Sequence, residues 1–201
     1  VTKKELFSSI REIADVPEKA HSYLRSLSEY APVYASLLNT NDEWWGQQDV
    51  EYRNAKRYLE GFELFNIKQP FTILMAAFYC FSSAEFVKLT QYLYILAIRY
   101  NVICHHSPNE QESAYNKLAI KIHNREFTRA SHVKNSDIFK KLYPNDEEFA
   151  NAFEFHKMPS RQSSKKIRFL LAEIENSLGH ATDPLRTTLE HICPYHPEEH
   201  W

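Results

Sequence analysis

Two apolar stretches in the middle of the chain, Phe71 to Cys80 and Phe86 to Ile103, constrain the fold more than any other feature. Each is long enough for a helix and apolar nearly all the way round, the pattern of a helix buried on every side. Ser82, Ser83, Glu85, Lys88 and Arg99 interrupt the run. It therefore reads as a buried helical hairpin and not as a membrane span. Ser82-x-x-Glu85 is a capping box that opens the second helix, which is expected to reach Cys104. Two such helices are stable only inside a ring of others. With 3 glycines in 201 residues, the chain offers little hairpin chemistry. The expected fold class is all-α, an irregular multi-helix bundle of about eight to ten helices with an extended C-terminal tail.

The flanking segments supply the ring. Thr2-x-x-Glu5 caps a helix carrying Leu6, Ile10 and Ile13. Asp15-x-x-Glu18, with Pro17 in the first turn, starts a second, expected to reach Leu38 with a kink or break before Pro32. Val50 to Phe65 is amphipathic, with Tyr52, Ala55, Tyr58, Leu59 and Phe62 on one side and Arg53, Lys56, Arg57 and Glu60 on the other. Ser107-x-x-Glu110 with Pro108 opens the next helix. Residues 131–136 read as a loop. Asn145 caps a short helix after Tyr143-Pro144. Arg161 to Leu178 is amphipathic, with Ile167, Leu170, Leu171, Ile174 and Leu178 expected inward and Gly179 as its stop.

Three clusters could carry chemistry. Trp44 and Trp45 either plug the end of the bundle, the favoured reading, or stack on a base or sugar. Cys104-His105-His106 suggests a metal site, but the favoured role of its histidines is to satisfy terminal carbonyls at the negative end of the helix dipole. Lys117, Lys121 and Arg125 are spaced four apart on one helix face, and Arg129, Lys134, Lys140 and Lys141 follow. That stripe is either a phosphate-contacting surface or a solvated face. With a net charge of −2, any basic surface must be local. Cys80, Cys104 and Cys193 are far apart with no CxxC spacing, so no disulfide framework is expected. No signal segment is visible at the start, and a reducing cytoplasm is the expected setting.

After residue 186 the pattern changes. Thr187 to Ile192 alternates and is rich in β-branched residues, a short strand signal. Pro194 and Pro197 forbid a regular helix or central strand beyond it. Leu189-Glu190-His191-Ile192-Cys193-Pro194, followed by Trp201, resembles the opening strand of the HNH (ββα-metal) nuclease module in GmrSD-type, modification-dependent restriction endonucleases. Arg99-Tyr100-Asn101-Val102-Ile103-Cys104 with Pro108-Asn109 resembles the end of that family's long central helix. Tyr143-Pro144-Asn145-Asp146-Glu147-Glu148-Phe149 resembles a helix start in it. The stretch Ile167 to Glu175 resembles the helix leading into the nuclease strand. The blocks occur in the family's order.

The resemblance implies a helical domain over residues 1–179, and a linker with the truncated start of a nuclease domain over 180–201. It implies His191 as the general base that activates water and Glu190 as a metal ligand, with Mg²⁺ or another divalent ion on the scissile phosphate. DNA is the implied substrate, and the basic patch read from spacing, Lys117, Lys121, Arg125 and Arg129, is the candidate surface for it. An N-terminal nucleotide-hydrolysing domain of the same system is the implied partner. Gly46-Gln47-Gln48-Asp49 does not match that domain's Asp-Gly-Gln-Gln-Arg motif, and the chain has no phosphate-cradling glycine loop. The chain thus resembles the middle of a larger endonuclease, and by itself is expected to bind no metal and to cut nothing. His196 and His200 do not complete a metal set, because Pro194 and Pro197 break helical facing. The rival class is a non-catalytic helical module for protein interaction or DNA binding.

Overall fold

The computed structural model describes residues 3–158, 160–180, 182–183 and 186–189. Among them the regular structure is helical, with no strand. In chain order the α-helices are α1 (Lys3–Ile13), α2 (Pro17–Leu38), α3 (Lys56–Phe65), α4 (Phe71–Cys80), α5 (Ser83–Ala97), α6 (Pro108–His123), α7 (Ala130–Asn135), α8 (Asp137–Leu142), α9 (Asp146–Glu154) and α10 (Ser160–Ser177). Residues 187–189 take no regular secondary structure, and the rest of the expected strand, Glu190 and His191 included, lies outside the described residues. No helix among the described residues is long and apolar enough to cross a membrane.

The expected hairpin forms the centre. On α5, Phe86, Leu89, Leu93, Leu96 and Ala97 are fully buried, and α4 adds Ile73, Leu74 and Ala77. Ser82 caps α5 by accepting from the Glu85 N–H at 3.4 Å. α5 packs against α3, α4, α7 and the 3₁₀ segment Val50–Ala55. α4 packs in turn against α6, which contributes Tyr115, Leu118 and Ile122, and against α2, which buries Val33, Ser36 and Leu37 near its end. The two tryptophans sit in the bundle: Trp45 Nε1 donates to the Ser36 carbonyl at 3.0 Å, and the Trp44 ring lies 5.0 Å from Phe78. α3 and α5 pack closely at Gly61 on α3, where an added methyl would collide with the ring of buried Tyr94 on α5.

Several local expectations are corrected. α2 runs unbroken through Pro32. The carbonyl of Ser28, which loses its donor to that proline, belongs to an exposed residue, where water can reach it. Its neighbour Glu29 accepts from the Tyr79 hydroxyl at 2.8 Å. Val50 to Phe65 is not one helix but a 3₁₀ segment followed by α3. Residues 131–136 are not a loop: α7 covers all but the last of them. Its N-terminus has no local side-chain cap. Instead Glu85 of α5 accepts from the Ala130 N–H at 2.8 Å while also receiving Lys88 at 2.9 Å. Those bonds, Lys88's first, hold the Glu85 carboxyl below its usual pKa. α10 is rotated from the expected face. Ala172 is buried and Phe169 packs on Phe65 and Tyr94, while Leu171, Ile174 and Leu178 are exposed.

Two substitutions test this core. Leu96→Ala is expected to cost about 2–5 kcal/mol, the range for emptying a close-packed leucine site, measured as a shift in urea midpoint. Gly61→Ala is expected to destabilise by about 1–3 kcal/mol despite alanine's better helix propensity, because the Tyr94 ring would have to shift to admit the methyl. A stabilised Gly61→Ala protein would mean that α3 and α5 stand further apart than their contact at Tyr94 requires.

Candidate functional site

The central helix does not stop at Ala97. It continues as a π segment, Ile98–Ile103, a rare geometry that recurs at functional positions. The wider turn ends with the Cys104 N–H donating to the Arg99 carbonyl and the His106 N–H to the Tyr100 carbonyl, both at 2.9 Å. The backbone thus satisfies carbonyls for which the histidine side chains were the expected donors. His105 adopts the left-handed region (φ 54°) and reverses the chain.

The side chains so released meet α9. Arg99 lies over the rings of Tyr143 and Phe149, 4.8 and 4.3 Å from their centroids. Its guanidinium donates to the Pro144 carbonyl at 3.0 Å and to Asp146 Oδ1 at 2.6 Å. Cation–π contacts strengthen as water is excluded, and the Arg99 side chain is only 14% exposed. Asn145 caps α9 by accepting from the Glu148 N–H at 2.8 Å. That cap fixes the first turn so that Glu148 Oε1 faces His106 Nε2 at 2.7 Å. The His106 ring packs on Tyr100 with centroids 4.7 Å apart. The ligand atoms of Cys104, His106 and Glu148 all lie within 4.8 Å of one another. Burial pushes the Cys104 thiol pKa up, the Glu148 charge adds to that, and Arg99 opposes it. On the other side of the turn His105 stacks on His156 at 5.3 Å, and His156 Nε2 is buried without a hydrogen-bond partner.

A second arrangement orders the start of the tail. The Gly179 backbone (φ 91°) ends the α10 turn, and the His180 N–H returns to the Glu175 carbonyl at 3.0 Å. The Thr182 N–H donates to Asn176 Oδ1 at 2.9 Å, and Arg168 donates to the Thr187 carbonyl at 3.0 Å. Residue 182 thus sits beside residue 176 and residue 187 beside residue 168, two anchor points progressively further back along α10. The apolar groove between α5, α9 and α10 has a volume of about 400 Å³ and includes Ile98, Phe149, Phe153, Leu170 and Ile174.

The basic stripe is dispersed. Lys117 is exposed on α6. Lys121 is tied to Glu126 at 2.6 Å. Arg125 lies beyond the end of α6 with φ 62°, and its guanidinium donates to the carbonyls of Cys80 and Tyr79. Arg129 is exposed at the start of α7. Glu190 and His191 lie outside the described residues, so the structure does not place them relative to these groups. Two of the three members of the Cys104–His106–Glu148 grouping are legible in the sequence, which shows a Cys-x-His pair but not the partner 42 residues after His106. No protein family, curated protein or solved structure matches the chain.

His156 gives this end a pH dependence. Burial first, then the charge of His105, holds its pKa below the ordinary 6.5. The unfolded chain therefore binds the proton more readily, so stability is full above pH 6.5 and is lost as pH falls through the lower folded value. Urea midpoints measured across that window should fall with pH in the wild type and fall less in His156→Phe. An identical slope in both would assign the dependence to other groups.

Proposed function

We propose that this chain is the helical connector of a metal-dependent DNA endonuclease of the GmrSD type, leading into an HNH-like nuclease module. The observation that carries this reading is the anchoring of Thr182 by Asn176 and of Thr187 by Arg168, both on α10, immediately before Leu189-Glu190-His191-Ile192-Cys193-Pro194. A nuclease strand needs a fixed point of departure if its histidine is to meet a phosphate in one geometry. The convergence of the resembling blocks is further support: Arg99 touches Tyr143, Pro144, Asp146 and Phe149, and α10 borders the same groove. Exposed Phe153, Leu171, Ile174 and Leu178 beside that groove suit a further folded module seated there.

In this reading His191 takes the proton of the attacking water, and Glu190 helps hold Mg²⁺ or another divalent ion in a longer protein that carries the remaining nuclease residues. The substrate is modified foreign DNA, and an N-terminal nucleotide-hydrolysing domain is the partner. The 201-residue chain alone is expected not to cut. A pure helical interaction module is the second reading. Leu6, Phe7, Ile13, Leu24 and Leu27 of α1 and α2 favour it, because their exposure leaves an apolar face open to a partner.

Plasmid nicking with Mg²⁺ or Mn²⁺ separates the two. In the longer protein His191→Ala should lower cleavage by about 10²–10⁴-fold, the size of a general-base term, with an unchanged melting curve. Cleavage at the wild-type rate would remove His191 from the reaction, and parallel loss of stability and activity would make it a structural residue. Duplex binding tests the surface. Reversing Lys117 and Arg129 to glutamate should lower the salt slope by about one unit for each phosphate no longer neutralised. Lys121→Glu should do less, since Glu126 already neutralises that ammonium.

A further inference from the structure

We propose that Cys104, His106 and Glu148 form a zinc site that fastens the first turn of α9 to the end of the central helix. The site is independent of the nuclease reading and lies on residues to which that reading gives no chemical role.

The donor set suits zinc. Thiolate, imidazole and carboxylate are the three side-chain ligands zinc takes, at about 2.3, 2.0 and 2.1 Å respectively. Ligand atoms around one tetrahedral ion therefore stand about 3.3–3.6 Å apart. Here all three lie within 4.8 Å of one another, with the His106–Glu148 pair at 2.7 Å. Side-chain rotation alone can open the short pair and close the rest. Thiolate and imidazole at a surface select zinc over Mg²⁺ or Ca²⁺, which take oxygen.

The scaffold holds those donors in place. Cys104 follows the π segment, left-handed His105 turns the chain, and His106 comes back beside Cys104. Glu148 is set by the Asn145 cap and by the Arg99 clamp on Tyr143, Asp146 and Phe149. The ligands thus come from rigid points on two elements. The end of the central helix supplies the negative pole of its dipole, which favours a cation there. Without a cation, a Cys104 thiolate and the Glu148 carboxylate would repel each other in a partly buried place. A dication between them turns that conflict into two bonds.

Cys104 and His106 are half-buried and Glu148 is exposed, so an ion can enter from solvent and water can take the fourth position. On binding, the Cys104 S–H bond breaks, a Zn–S bond forms, and the thiol proton leaves to solvent. The Nε2–H···Oε1 bond between His106 and Glu148 breaks, the Nε2 proton passes through solvent to Nδ1 or is released, and His106 then coordinates through the Nε2 lone pair beside the Glu148 carboxylate. No electron is transferred.

The test uses the whole chain, stripped with chelator under reducing conditions and titrated with Co²⁺ and then Zn²⁺. The expected result is one Co²⁺ per chain, with a thiolate-to-metal charge-transfer band that Zn²⁺ abolishes by displacement. Cys104→Ser should remove the band, and Glu148→Gln should weaken Zn²⁺ by at least about tenfold. Zn²⁺ should raise the melting temperature of the wild type and not of Glu148→Gln, as linkage requires. The tail carries Cys193, His196 and His200, so Cys193→Ser/His196→Ala/His200→Ala is the control and should keep the band. Loss of the band in the tail variant with retention in Cys104→Ser would move the metal to the tail and overturn the proposal. So would a wild type that takes up no Co²⁺. Should Cys104→Ser fail to fold, the near-isosteric Glu148→Gln decides alone: unchanged Zn²⁺ affinity refutes the site.

Discussion

The structure depends on burying the broad apolar face of α5. Phe86, Leu89, Leu93, Leu96 and Ala97 are all out of water, while Ala84, Lys88 and Ile95 stay exposed along the other side of the helix. Other segments must therefore close around it, and α3, α4, α7 and the 3₁₀ segment Val50–Ala55 do so. Gly61 shows how tightly, since α3 can approach the Tyr94 ring only where it has no side chain. Burial of about 25 cal/mol per Å² of apolar surface makes this hub the main source of stability. It also decides where polar groups can emerge. Arg99 is the first charged residue after the buried stretch, and it lies in the π segment, where the ladder widens.

From Arg99 the consequences run outward. Its guanidinium is held by two aromatic rings, a carbonyl and a carboxylate, all contributed by the approach to α9 or its first turns. That contact sets α9, and α9 carries Glu148 to His106. Phe153 of α9 lines the groove with Leu170 and Ile174 of α10, and α10 anchors Thr187. A chain of contacts thus joins the buried hub to the residues just before Glu190. Each link is short and contains a charged or aromatic group, the kind of contact that specifies geometry as well as adding stability.

The hub is legible in the sequence because its signals are local. Ser82, Asn145 and Gly179 act where their spacing puts them, as two N-caps and a helix stop. What stays hidden depends on distant partners. α7 looks like a loop from its own residues because its N-terminal donor is satisfied by Glu85, 45 positions earlier. α10 has two apolar faces, and periodicity alone cannot choose between them. The core takes the side with Phe169 and small Ala172, leaving Leu171 and Ile174 to solvent. The even four-residue spacing of Lys117, Lys121 and Arg125 suggests one stripe, but α6 ends at His123 and Arg125 turns to the carbonyls of α4. Cys104 and His106 are visible as a pair and their third neighbour is not, because only the fold brings α9 to that turn.

The two ends of this chain of contacts differ in kind, and the difference bears on function. α5 is held by apolar burial from several elements at once, which is cooperative and insensitive to any single exposed group. Beyond Gly179, Thr182 and Thr187 are held by polar contacts, to Asn176 and Arg168 respectively. A hydrogen bond contributes about 0.5–1.5 kcal/mol net, somewhat more when one partner is charged. Contacts of that size can choose a direction of departure for the segment that follows, while adding little to the stability of the bundle. Fixing Thr187 beside Arg168 thus sets where the chain leaves α10 at little cost to the bundle.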